Sequence, residues 1–107
     1  YGKIKREDGY KMVRHICMFK LKEENKEANL KEALSRLEEV KKFPMISEAL
    51  VVTNMEQAPE SNYDFSLIFD FKSFDDLEAY QVHPTHVAFG KFITEVRENR
   101  ACIDYEF

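Results

Sequence analysis

The chain has 107 residues, a formal charge of −4, and 44% hydrophobic and 34% charged residues, the composition of one ordinary soluble globular domain. Acidic and basic residues alternate instead of segregating, so no concentrated Lys/Arg face offers itself to a nucleic-acid backbone. No apolar run nears the roughly 20 residues that span a bilayer.

YGKIKREDGYK, residues 1–11, is polar, basic and without apolar periodicity, and reads as a flexible extension ahead of a domain over residues 12–107. It carries no apolar signal core, which makes a cytoplasmic location the expectation. On that expectation Cys17 and Cys102 are reduced, buried, small apolar residues.

MVRHICMFKLK, from Met12 to Lys22, is rich in β-formers and free of breakers, and predicts a strand. One face carries Val13, His15, Cys17, Phe19 and Leu21; Ile16 and Met18 stand on the other. From Asn25 the period changes. Leu30, Ala33, Leu34, Leu37 and Val40 fall at helical spacing, and Pro44 predicts an end near Lys42. ISEALVVTNM, Ile46 to Met55, predicts a second strand. Tyr63 to Phe71 gives the clearest alternation, with Tyr63, Phe65, Leu67, Phe69 and Phe71 on one face. Ser73 followed by Asp76 is a capping start for a helix from Phe74 to Val82. Pro84 breaks that helix and suits the first turn of another, which carries His86, Phe89, Ile93 and Val96 on its apolar stripe and ends at Asn99 and Arg100. ACIDYEF closes the chain as a strand.

The order βαββαβ predicts an α+β, ferredoxin-like fold: a four-stranded antiparallel sheet with helices on one side. Helices cover one sheet face, while Ile16, Met18, Ile68 and Val51 or Val52 populate the other. The expectation is a homodimer packed sheet against sheet.

VRHICMFKLK, the aromatic third strand, FDDLEAYQVHPTHVAFG and the closing IDYEF together resemble the stress-responsive α/β-barrel (Dabb) domain over nearly all of Met12 to Phe107. The most specific part is His83-Pro84-Thr85-His86 preceded by Tyr80. The resemblance implies a ferredoxin-like protomer whose dimer closes two sheets into a barrel. One enzymatic branch of that family cyclises linear polyketides by intramolecular aldol chemistry between helices and sheet. Carried onto this chain, that branch implies His86 as base, Tyr80 as its helper, Asp104 as the carboxylate, and His15 as the first-strand histidine. It has a histidine on the third strand where this chain has Phe65.

If the His15 strand face meets the helices, His15 and His86 point into one layer. Cys17, Phe65 and Phe89 are then candidate ligand contacts in a lining suited to a small hydrophobic ligand with few polar anchors. A neutral imidazole can take a proton next to a carbonyl, a carboxylate on its other nitrogen fixes its tautomer, and a tyrosine hydroxyl can bond the enolate oxygen. That chemistry needs no cofactor, and no His or Cys spacing demands a metal. The same residues have a plain structural reading: His86 as a satisfied core histidine paired by Asp104, Tyr80 as a core aromatic, the Phe stripe as core, and His83 as a corner residue. Three functions follow: a module binding a small carbonyl-bearing ligand, a cofactor-independent lyase- or cyclase-like enzyme, and a purely structural stress-protective dimer.

Overall fold

In the computed structural model, which describes residues 12–107, β1 (Val13–Leu21) runs through the middle of the sheet. It is followed by α1 (Lys26–Val40), β2 (Glu48–Thr53), β3 (Phe65–Phe71), α2 (Phe74–Val82), α3 (Pro84–Val96) and β4 (Arg97–Glu106). The strand order is β2-β3-β1-β4 and every pairing is antiparallel. This is the predicted ferredoxin-like arrangement. The extension expected over 1–11 lies outside the described residues.

The alternation of β1 and β3 decides where the core sits. Val13, His15, Cys17, Phe19 and Leu21, with Phe65, Leu67, Phe69 and Phe71, are all buried beneath the helices. Ala33, Leu37 and Val40 of α1, Leu77 and Tyr80 of α2, and Phe89 and Ile93 of α3 close over them. The α2 start follows the capping rule: Ser73 Oγ accepts a hydrogen bond from the Asp76 N–H at 3.1 Å. Pro84 likewise forces His83 out of helical geometry (φ −61°, ψ 133°), so the chain turns a corner between α2 and α3.

Among the described residues no helix covers the opposite sheet face. Met18, Leu50, Val52, Ile103 and Tyr105 are exposed there, Leu50 at 53% and Ile103 at 60%. At one end of this face Arg14 donates two hydrogen bonds to Asp70, at 2.7 and 2.9 Å, and its guanidinium lies over the Phe107 ring. Of the two valines weighed for this face, Val52 is the one that belongs to it. Val51 packs against the core.

Two boundaries and one pairing differ from expectation. The last helix ends at Val96, not at Asn99 and Arg100, because residues 97–100 pair with Leu21, Lys20 and Phe19 of β1. The second strand is shorter than Ile46–Met55, since its partner β3 begins only at Phe65, opposite Thr53. Cys17 and Cys102, expected as free thiols, face each other across β1 and β4 with Cα atoms 4.2 Å apart and are joined by a disulfide.

The bridge closes a loop of 85 residues in sequence, long enough for a disulfide to constrain the unfolded chain substantially. Reduction, or Cys102→Ser, is therefore predicted to lower the unfolding free energy by about 2–4 kcal/mol in urea melts. Thiol titration of the unfolded, unreduced protein should find no free thiol. Two titratable thiols and an unchanged midpoint would show that the pair is not joined.

Candidate functional site

The helices pack over β1 and β3, whereas β4 is an edge strand and its helix-side residues Arg100, Cys102 and Asp104 remain exposed. This offset leaves a cavity of about 260 Å³ between α3 and the β1–β4 half of the sheet. His15, Cys17 and Phe19 of β1 form its floor with Leu67 of β3, and α3 roofs it with Phe89, Gly90 and Ile93. Tyr80 and His86 stand at the His15 end, Arg97 and Arg100 beside Phe19.

Tyr80 is the most enclosed polar residue of the site, only 1% exposed. Its ring packs against Phe71 and Phe69 at centroid distances of 5.3 and 5.7 Å, which fixes its position. Its hydroxyl has no hydrogen-bond partner among the described residues, yet the residue lines the cavity. Burial raises the phenol well above its ordinary value; Arg100 opposes that rise and Asp104 adds to it. Tyr80 thus remains a neutral O–H donor throughout the physiological range.

Two histidines flank this ring, His86 at 4.3 Å and His15 at 5.7 Å between centroids. His15 stands directly opposite Asp104 in the β1–β4 register, and its Nδ1 lies 2.5 Å from Asp104 Oδ1. A carboxylate accepts, so Nδ1 carries the proton. His86 sits in the first turn of α3, and its ring folds back so that Nδ1 donates to the Gln81 carbonyl at 2.9 Å. That carbonyl belongs to the last turn of α2, where helical acceptors lack partners. Both imidazoles are therefore tied at Nδ1, and neither Nε2 has a protein partner among the described residues. Burial is the main cause holding His86 below the usual histidine range; the charges of His15 and Arg100 add to it, and the Gln81 carbonyl opposes it. At neutral pH His86 is a neutral imidazole able to accept a proton.

The expected pairing of Asp104 with His86 is not what forms. Asp104 reaches His15, its direct cross-strand neighbour, and His86 takes a backbone carbonyl instead. Phe65 is also displaced from its expected role. It stacks on Phe19 at 4.9 Å, outside the cavity lining, while Phe19 forms the wall. His83 turns away from the cavity: its ring stacks on Phe43 at 3.9 Å, and Nδ1 accepts from the Thr85 N–H, capping α3. Phe89 and Cys17 do line the cavity, Cys17 as a disulfide sulfur. Among the described residues no three His, Cys, Asp or Glu side chains are grouped to hold a metal ion. Arg97 and Arg100 were missed in the sequence because they read as the end of a helix. Only the pairing of residues 97–100 with β1 places them at the cavity.

The chain matches the Stress responsive A/B Barrel Domain family, Dabb, over residues 13–107. A dimeric ferredoxin-like protein of unknown function from Bacteroides fragilis is 34% identical and superposes with a TM-score of 0.73, over 90% of this chain and 96% of that one. A Dabb family protein from Mesorhizobium loti is 24% identical with a TM-score of 0.73, over 88% and 94% of the two chains. The hydroxynitrile lyase from Passiflora edulis shares the fold at 17% identity, with a TM-score of 0.79 over 92% and 95%. No curated protein matches the sequence. The family match runs from the start of β1 to the last residue and so takes in the floor, roof and edge of the cavity: the chain belongs to the Dabb family of stress responsive A/B barrel domains.

Proposed function

We propose that this Dabb protein is a homodimer that binds a small, largely apolar, carbonyl-bearing compound in the cavity beneath α3. The hydroxyl of Tyr80, on an enclosed ring at the cavity wall and without a hydrogen-bond partner among the described residues, carries this reading. A neutral O–H donor fixed at a cavity wall with no protein acceptor is free to donate to a ligand, and a ligand carbonyl is the matching acceptor. A cavity of about 260 Å³ suits a ligand of one aromatic ring with a short side chain.

A second reading, acid–base catalysis without a cofactor, is favoured by the two imidazoles beside that hydroxyl. The neutral Nε2 of His86 would take the proton from the carbon next to the carbonyl. The C–H electron pair would pass into an enolate whose oxygen accepts from Tyr80, and the imidazolium would return a proton to carbon. His15, oriented by Asp104, would stand as a second imidazole on the other side of Tyr80. That the fold can host an enzyme is supported by the Passiflora edulis hydroxynitrile lyase.

Phenylacetone tests both readings. Binding measured by calorimetry should weaken about 3- to 10-fold in Tyr80→Phe, the range for one neutral hydrogen bond. Equal binding by Tyr80→Phe and wild type would remove the hydroxyl from the site. In D2O, catalysed exchange of the benzylic hydrogens followed by NMR should disappear in His86→Ala. Binding without exchange would leave a binding module, and exchange lost only in His15→Ala would move the base to His15.

The dimer is supported by the exposed Leu50, Val52 and Ile103 on the bare sheet face and by the dimeric state of the Bacteroides fragilis protein. Light scattering should give twice the monomer mass for the wild type, and Ile103→Glu should shift it to one. A monomeric wild type at micromolar concentration would contradict the dimer.

A further inference from the structure

The sheet edge beside the cavity carries two cations for which the carbonyl site has no use. Arg97 and Arg100 are three residues apart, and in a regular strand such residues point to opposite faces. Here they do not. Lys20 pairs with Asn99 but Leu21 pairs with Arg97, so Glu98 is an extra residue and β4 carries a bulge. The bulge puts Arg97 opposite Leu21 and Arg100 opposite Phe19, both on the helix side, and both line the cavity. Bulges re-aim side chains in this way beside functional sites.

Neither guanidinium is neutralised by a described residue. Among the described residues neither Arg97 nor Arg100 lies within 4.0 Å of a carboxylate oxygen, although the chain as a whole has net charge −4. Of the carboxylates on this side of β4, Asp104 is taken by His15 and Glu106 stands beyond it, opposite Val13. The Arg97 Nε is moreover the one buried side-chain nitrogen or oxygen among the described residues without a hydrogen-bond partner. A buried N–H donor left open at a cavity wall, next to a second unpaired guanidinium, is a feature that an anion completes. At the other end of the same cavity Tyr80 offers its own open donor.

We propose that the ligand is a carboxylate: its anionic group lies between Arg97 and Arg100 at the bulged start of β4, and its carbonyl end lies at Tyr80. This rests on the reading of the cavity as a carbonyl site and adds the charge of its occupant. Arg100 acts at both ends, since its charge also favours the neutral form of His86 and opposes the upward shift of Tyr80.

The test compares 4-oxo-4-phenylbutanoate with 4-oxo-4-phenylbutanamide, which have the same carbon skeleton and ketone and differ in charge. Calorimetry should show the acid binding about 10- to 100-fold more tightly, the range for a charge-assisted hydrogen bond. Arg97→Gln and Arg100→Gln should each weaken binding of the acid more than that of the amide, and so cut that preference. Arg100 is exposed, so its variant is expected to fold even if the variant at Arg97 does not. Equal binding of acid and amide to the wild type would overturn the anionic subsite and leave the carbonyl site standing. A preference retained in Arg100→Gln and in the double variant would also overturn it. Failure of both compounds to bind would overturn the cavity reading and this inference together.

Discussion

The register of β1 against β4 is the constraint on which the rest of the molecule depends. It sets His15 opposite Asp104, Cys17 opposite Cys102, Phe19 opposite Arg100 and, after the bulge, Leu21 opposite Arg97. Each pair joins an enclosed β1 residue to a polar or sulfur-bearing residue at the sheet edge. A slip of one residue would turn the inner face of β4 outward and remove every one of these contacts at once. The disulfide fixes that register near its centre. The cavity lies where this edge strand projects past the helices that cover β1 and β3.

The two faces of the sheet divide the work. The inner face combines a core of Phe69, Phe71 and Leu37 with a cavity in which each of two histidines is held by a single, definite partner. Burial keeps His86 uncharged and Tyr80 protonated, so both act as neutral groups at the pH of a cell. The outer face exposes Met18, Leu50, Val52 and Ile103 through its middle, with Glu48 and the Arg14–Asp70 pair at one end and Lys20 and Asn99 at the other. A dimer built on that face would leave the cavity untouched, and the ligand site would then belong to each protomer separately.

How much of this was legible in the sequence follows from the range of each interaction. Alternation from Phe65 to Phe71, the Ser73 cap and the Pro84 corner are local, and they led to the correct element order and to helix bounds for α2 that the structure matches. The start of β4 was not legible. Residues 97–100 carry no helix breaker, and only hydrogen bonding to β1, some 80 positions earlier, makes them a strand. The same remoteness hid the partner of Asp104: the HPTH element drew attention to His86, but strand adjacency delivers Asp104 to His15. Cys17 and Cys102 were read from their number and the expected compartment, whereas their joining depends on direct opposition across two strands. Phe65 was read as lining because its face was right; the stacking partner that places it behind Phe19 is a tertiary contact with no sequence signal.

The central claim is that both imidazoles are pinned at Nδ1 and present Nε2 toward a cavity that Tyr80 caps with an open hydroxyl. Nitrogen-15 spectroscopy of the histidine rings tests it most directly. At pH 7.5 His86 is predicted to be the neutral tautomer protonated at Nδ1, with Nε2 bare, and His15 to show a hydrogen-bonded Nδ1 proton that disappears in Asp104→Asn. The tautomer protonated only at Nε2, found at either ring, would contradict the account, because the anchors to Asp104 and Gln81 could then not exist as described.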